Sequence, residues 1–213
     1  MPAVRAHLAR SYSMSALPRR NDSTLGWHSR GYLPHFDGGE LAQFITFRLN
    51  DSLPRNLLVR LKEELKFEPS AQASSIMRRR VEAYLDQGHG SCYLRDRRVA
   101  EMVQKALLFH DPVKYNLVAW VVMPNHAHML CTPCAEYSLA EIMHSIKSFT
   151  SSEANRILNR AGRFWQKEYF DRYIRNTRQF SKTVSYIENN PVKANLCVRP
   201  EQWQFSSARF RNK

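Results

Sequence analysis

The chain has 213 residues, of which 43% are hydrophobic and 11% aromatic, enough for one domain around a sizeable core. Its formal net charge of +13 calls for a polyanionic partner, and nucleic acid is favoured over an anionic membrane because the charge is not gathered on one amphipathic helix. No apolar run approaches the roughly 18 residues of a membrane span, and Cys92, Cys131, Cys134 and Cys197 form no regular disulfide framework, so a reducing cytoplasm is the simplest compartment.

Residues 1–30 are Arg-rich, acid-poor and without apolar periodicity, which predicts a flexible basic arm rather than a secretory signal. Order is expected from Gly31-Tyr32-Leu33-Pro34-His35, and residues 31–213 are expected to form one domain. Leu41–Leu49 is rich in strand formers and alternates Phe44, Thr46 and Arg48 with Ile45, Phe47 and Leu49, a half-buried first strand. A helix follows with Leu57, Leu58, Leu61 and Leu65 on one stripe. A second helix, about Gln72–Leu85, turns Ile76, Val81, Tyr84 and Leu85 inward, and its Arg78-Arg79-Arg80 run fans over three directions as a solvated face. Gly88-His89-Gly90 is a turn. Asp96 caps a third helix, Arg97–Phe109. These helices, about residues 55–110, read as an insertion between the first two strands.

The second strand, about Lys114–Met123, leads through Pro124 and Asn125 into His126-Ala127-His128. On an extended backbone the two imidazoles share a face. Neutral imidazole is a good ligand for divalent metals, and two on one strand make half of a site. The plainer alternative is two polar residues on the wet face of an antiparallel strand. Cys131 and Cys134 follow as CxxC, but no second pair exists to complete a structural zinc site.

Ser138-Leu139-Ala140-Glu141 is a capping box opening a helix to about Leu158, with Leu139, Ile142, Ile146, Phe149 and Ala154 on its apolar side. Arg163–Tyr173 reads as an aromatic-rich strand. Thr177 or its neighbour caps a last helix that ends before Pro191. Its apolar stripe is Phe180, Val184 and Ile187. Tyr186 and Asn190, one turn apart, project together from a face off that stripe. Tyr186 is a surface tyrosine on the bland reading. Two imidazoles and one amide oxygen would instead supply three protein ligands with positions left open, and the tyrosine would be a nucleophile beside the metal. The whole pattern predicts an α+β domain with a small, mainly antiparallel sheet and helices on one side.

Here the residues match a family. Met123-Pro124-Asn125-His126-Ala127-His128 resembles the histidine–hydrophobe–histidine motif of single-tyrosine HUH transposases. Val184-Ser185-Tyr186-Ile187-Glu188-Asn189-Asn190-Pro191-Val192-Lys193-Ala194-Asn195-Leu196 resembles their catalytic-tyrosine helix. Gly31–His35, Phe164-Trp165-Gln166 and Asp171–Arg175 look like the REP-associated tyrosine transposases, relatives of the IS200/IS605 group. The likeness covers about residues 31–200. It implies a ferredoxin-like HUH endonuclease fold, His126 and His128 as metal ligands, Tyr186 as nucleophile, and Asn190 where the wider group often carries glutamine. It also implies Mg²⁺ or Mn²⁺ as cofactor. The implied substrate is single-stranded DNA with an imperfect REP-like hairpin and a short flanking tetranucleotide. Cleavage would leave a 5′-phosphotyrosine, and the protein would act as a bacterial cytoplasmic monomer.

For the DNA surface, residues 163–213 hold 11 Lys/Arg against 4 Asp/Glu. Tyr32, His35, Arg48, Lys147, Trp165, Arg172, Arg175 and Lys193 are the candidate contacts, the rings as platforms for unpaired bases. A domesticated hairpin-binding protein without catalysis would share these electrostatics. A zinc deaminase is disfavoured because the HxE signature is absent.

Overall fold

A computed structural model describes residues 26–29, 34–37, 39–54 and 56–211. Residues 1–25 of the expected arm, Tyr32 and most of the Gly31–His35 segment fall outside the described residues. Gly26–Ser29 (β1) and Pro34–Asp37 (β2) pair antiparallel as a hairpin, so ordered structure starts ahead of Gly31. The main sheet comprises Gln43–Arg48 (β3), Tyr115–Val122 (β4), His126–Pro133 (β5) and Phe170–Tyr173 (β6), in the order β4-β5-β3-β6, and every pairing is antiparallel.

The helices lie on both faces of this sheet, not on one. Arg97–Phe109 (α3) and Leu139–Ile157 (α4) cover the face carrying Ile45, Phe47, Trp120 and Met129, and Val99, Val103, Leu107, Ile142 and Ile146 complete that core. Thr177–Lys193 (α5) covers the other face, where Phe44, Val118, Val121, Leu130 and Ile187 meet. Each sheet residue faces one layer or the other, which is why β3 and β5 are almost wholly buried rather than half-wet. A bulge between Leu117 and Ala119 turns both Val118 and Ala119 towards α5.

Local signals explain the starts of α3, α4 and α5. Asp96 accepts from the Arg98 N–H as N-cap of α3, and Ser138 and Glu141 form the capping box of α4. Asn176, the neighbour of Thr177, caps α5 through the Gln179 N–H. The helix does not stop before Pro191. Pro191 sits inside its last turn, and Asn195, at φ +56°, closes it: the N–H of Leu196 bonds the Pro191 carbonyl at 2.9 Å and that of Asn195 bonds Val192 at 3.0 Å. That left-handed closure satisfies the terminal carbonyls and carries the chain past the proline.

Other expectations need adjusting. The strand placed at Arg163–Tyr173 is confined to Phe170–Tyr173, because the Phe164 and Trp165 rings are spent in the core. Phe149 is 54% exposed rather than inward. Only Leu57–Glu64 (α1) and Ser70–Asp86 (α2) stand apart from the main layers, around their own cluster of Leu53, Leu57, Leu61 and Leu85, whereas α3 belongs to the main core. Beyond α5, residues 205–207 line β4 through Val122 N–H to Phe205 and Ser207 N–H to Trp120, covering that edge. Among the described residues no helix is long and apolar enough to cross a membrane.

Candidate active site

Alternation along β5 sends His126, His128 and Leu130 towards α5 and Ala127, Met129 and Cys131 into the opposite core. Cys131 therefore points away from the histidines, and the Cys134 thiol lies against the Pro112 carbonyl. In register, Thr46 of β3 lies opposite His128 and Arg48 opposite His126. Both imidazoles are 1% exposed, which rules out the wet-face reading. Burial, more than the Lys193 ammonium, pulls His126 down to about 3. Burial, then His126 and Lys193, holds His128 well below the usual histidine range. Both rings are neutral at pH 7 and keep a lone pair.

The hydrogen bonds say where those lone pairs point. Asn125, fully buried, donates Nδ2–H to the His89 carbonyl at 3.0 Å, so its Oδ1 faces His126 Nδ1 at 2.8 Å. An amide oxygen only accepts, hence His126 carries its proton on Nδ1 and its lone pair on Nε2. His128 Nδ1 meets the Thr46 hydroxyl at 2.8 Å, and its Nε2 faces the Asn190 Nδ2 donor at 3.4 Å. The two Nε2 atoms approach to 3.1 Å, and with the Asn190 NH₂ turned towards His128 each carries a lone pair there. Two lone pairs at that separation repel unless a cation lies between them. Two imidazole nitrogens each about 2.1 Å from one metal ion, at 90–109°, stand about 3.0–3.4 Å apart. Asn190 is fully buried, and its Oδ1 has no hydrogen-bond partner among the described residues. A half-turn of the amide would exchange that oxygen with the nitrogen now beside His128. The residues present thus fit a divalent cation with two nitrogen ligands and one oxygen ligand. The described residues hold no group of three or more His, Cys, Asp or Glu side chains that would make a closed site instead.

The Tyr186 ring is half-buried, 5.4 Å from the His128 ring and 5.8 Å edge-on from Phe44. Lys193 Nζ lies 5.8 Å from its centre. The buried residues of α5 are Thr183, Ile187, Asn190 and Pro191. This corrects the reading that Tyr186 and Asn190 leave the helix off its core face. Asn190 is at the middle of the buried face and Tyr186 is at its border, because the sheet beneath presents His128 there as well as hydrocarbon.

The other sequence-derived candidates divide. Arg48, opposite His126, donates to the Ser52 hydroxyl, and Arg172 lies on β6 opposite Phe44, on the α5 side. Arg175 is exposed over the Tyr173 ring, near the end of β6. Three candidates are spent inside the protein. Trp165, 3% exposed, donates to Thr150 Oγ1 at 2.8 Å, and His35, 3% exposed, pairs with the buried Asp171 carboxylate, so neither presents a ring to a base. The Lys147 ammonium bonds the Gln166 and Lys167 carbonyls, and burial lowers it to about 8. Tyr32 is outside the described residues. Sequence reasoning missed Asn125, Thr46 and Phe44. Asn125 sits inside the histidine motif, but its partner is 36 residues away in sequence. Thr46 needed the β3–β5 register, and Phe44 needed the packing of α5.

A tyrosine ring thus borders two buried, neutral imidazoles on an antiparallel sheet. A family model described as transposase IS200 like matches residues 95–190, the span from α3 to the tyrosine helix. The REP-associated tyrosine transposase of Escherichia coli (strain K12) is 30% identical over 123 residues, 54% of this chain and 71% of the relative. A solved structure of a REP-associated tyrosine transposase bound to a REP hairpin aligns with 84% of this chain and 81% of its own, at 21% identity and a TM-score of 0.46. The chain belongs to the IS200-like family of tyrosine transposases.

Proposed function

We propose that the protein is a metal-dependent transposase that nicks and rejoins single-stranded DNA at an imperfect REP-like hairpin through Tyr186. The observation that carries this reading is the convergence of two buried imidazole Nε2 atoms, 3.1 Å apart, and a spare amide oxygen beside a tyrosine ring. His126, His128 and Asn190 would hold the cation, Mg²⁺ or Mn²⁺. Imidazole ligands lean towards Mn²⁺, since Mg²⁺ prefers oxygen. Held there, such a cation would supply Lewis acidity to the scissile phosphate.

The chain's own residues do the rest. The Tyr186 oxygen forms a bond to phosphorus as the bond from phosphorus to the 3′-oxygen breaks. The phenol loses its proton and the departing 3′-oxygen gains one. The DNA 5′ end stays on the protein as a phosphotyrosine, and a later 3′-hydroxyl reverses the exchange, so no water is consumed in the first step. Phe44 against both the His128 and Tyr186 rings keeps nucleophile and ligand in register. Asn125 and Thr46 hold the imidazoles by their Nδ1 atoms, leaving Nε2 for the metal. Lys193, Arg48, Arg172 and Arg175 provide positive charge for the phosphate backbone around that point. The 31–213 segment would be the transposase domain and would act in the cytoplasm as a monomer, with a flanking tetranucleotide in the recognition sequence.

The test is incubation with hairpin-bearing single-stranded DNA and Mn²⁺, followed by denaturing electrophoresis. A denaturation-resistant adduct is expected from the native protein, severely weakened by His126→Ala and abolished by Tyr186→Phe. An adduct surviving Tyr186→Phe would refute the nucleophile. Tight hairpin binding with no adduct across many hairpins would favour a catalytically silent DNA-binding protein.

A further inference from the structure

The helix pair α1–α2 plays no part in the chemistry above, yet its exit touches both halves of the site. After α2 the chain turns through Gly88 at φ +71° and Gly90 at φ +82°. It is fastened to the turn after β3, where Asp51 Oδ2 accepts from the Ser91 N–H at 3.0 Å and the Ser91 hydroxyl at 2.6 Å. A Cβ on Gly90 would lie 2.5 Å from the Asp51 carbonyl oxygen, so any side chain there must displace the loop. Held in this place, the loop presents the His89 carbonyl to Asn125. Asp86, the last residue of α2, accepts from Lys193 Nζ at 2.7 Å, and Lys193 is the cation that stands over Tyr186. An acid at a helix C-terminus faces the negative end of the macrodipole, so Asp86 is placed against its local preference and is offset by Lys193 from another element.

We propose that the α1–α2 insertion with its exit loop is a positioning element for the cleavage site. The His89 carbonyl sets the proton position on His126, and Asp86 sets the place of Lys193 beside the nucleophile. The inference rests on the metal-dependent reading of the site. Its logic is one of donors and acceptors. A backbone carbonyl only accepts, so it orients Asn125 with the NH₂ towards the loop and the oxygen towards His126. The oxygen in turn takes the Nδ1 proton, and Nε2 is left bare for a ligand bond. With the carbonyl displaced, Asn125 is free to rotate and offer its NH₂ to Nδ1. The His126 proton then moves to Nε2, where it blocks the metal. On the other arm, Asp86 keeps the Lys193 ammonium beside Tyr186 with DNA bound as without it, so that the charge stands next to the nucleophile when it reacts.

The test perturbs the loop without altering any residue that faces the site. Gly90→Ala is expected to weaken Mn²⁺ binding, read by electron paramagnetic resonance titration, by about tenfold or more, the usual effect of losing an outer partner of a ligand. In the metal-free protein the ¹⁵N signals of His126 should move from the Nδ1–H towards the Nε2–H tautomer. Asp51→Ala, which cuts the two Ser91 bonds at an exposed position, should give the same readouts and serves if Gly90→Ala does not fold. Asp86→Asn should leave Mn²⁺ affinity unchanged and lower the rate of adduct formation at saturating DNA about tenfold. Native Mn²⁺ affinity with an unchanged Nδ1–H tautomer in both loop variants would overturn the relay. An Asp86→Asn adduct rate equal to native would overturn the lysine arm. Absence of Mn²⁺ binding and adduct in the native protein would instead count against the functional reading, while the metal-free tautomer still decides the relay.

Discussion

Asn190→Asp separates a metal site from a merely buried polar cluster. In the native, metal-free protein the Asn190 NH₂ faces the His128 lone pair at 3.4 Å, and its oxygen is buried without a partner among the described residues. An aspartate removes the donor and sets a carboxylate against two imidazole lone pairs. Losing the hydrogen bond costs about 1–3 kcal/mol, and the unpaired charge adds to it. In EDTA the variant should melt lower by roughly 2–4 °C for each kcal/mol lost, the scale for a chain of this size. A divalent cation reverses the sign, because the carboxylate is then an anionic ligand where a neutral amide oxygen stood. A ligand at about 100 times its Kd stabilises by about 2.7 kcal/mol, and each tenfold gain in affinity adds about 1.4 kcal/mol. The Mn²⁺-induced rise in Tm should therefore exceed the native rise by about 3–6 °C per tenfold gain. Thermal melts of both proteins, in EDTA and in saturating Mn²⁺, check this. Equal Mn²⁺ shifts, or a variant as stable as native in EDTA, would refute the argument.

Thr150→Val strands the Trp165 indole N–H in the core, so it should cost about 1–3 kcal/mol and lower Tm by about 2–12 °C. Hairpin affinity measured well below Tm should be unchanged, since Trp165 is not a base platform. Acid should destabilise the metal-free protein from near pH 6.5 downward. The unfolded chain takes up histidine protons there that the buried rings refuse, and the loss continues until the folded His126 itself protonates at about 3. Each suppressed imidazole contributes up to about 1.4 kcal/mol per pH unit, so denaturant melts between pH 7 and 5 should show a steep loss that becomes shallower in His126→Asn.

Much of this architecture is written locally. Asp96 and the Ser138–Glu141 pair mark helix starts because capping is a matter of three or four neighbouring residues. The His126/His128 spacing marks a shared strand face for the same reason. Placement across the sheet is not local. That α5 lies on one face and α3 and α4 on the other depends on which face each strand offers, and β3, β4 and β5 each place apolar residues on both. Period alone therefore could not say that Asn190 is buried beneath its helix rather than beside it. Trp165 misleads for a related reason: an aromatic among basic residues looks like a stacking surface until its indole meets Thr150, 15 residues away. Asn125 was visible as a letter in the motif, but its role depends on a carbonyl supplied by the insertion.

The proposed reaction joins Tyr186 covalently to a DNA 5′ end in a metal-dependent exchange. The most direct measurement is mass spectrometry of protease-digested adduct formed with hairpin single-stranded DNA in Mn²⁺. A nucleotide phosphate is expected on the peptide containing Tyr186, carrying the 3′ portion of the cut strand, with a free 3′-hydroxyl on the released fragment and nothing formed in EDTA. A phosphate on another tyrosine, a 3′-phosphate linkage, or undiminished adduct in EDTA would contradict it.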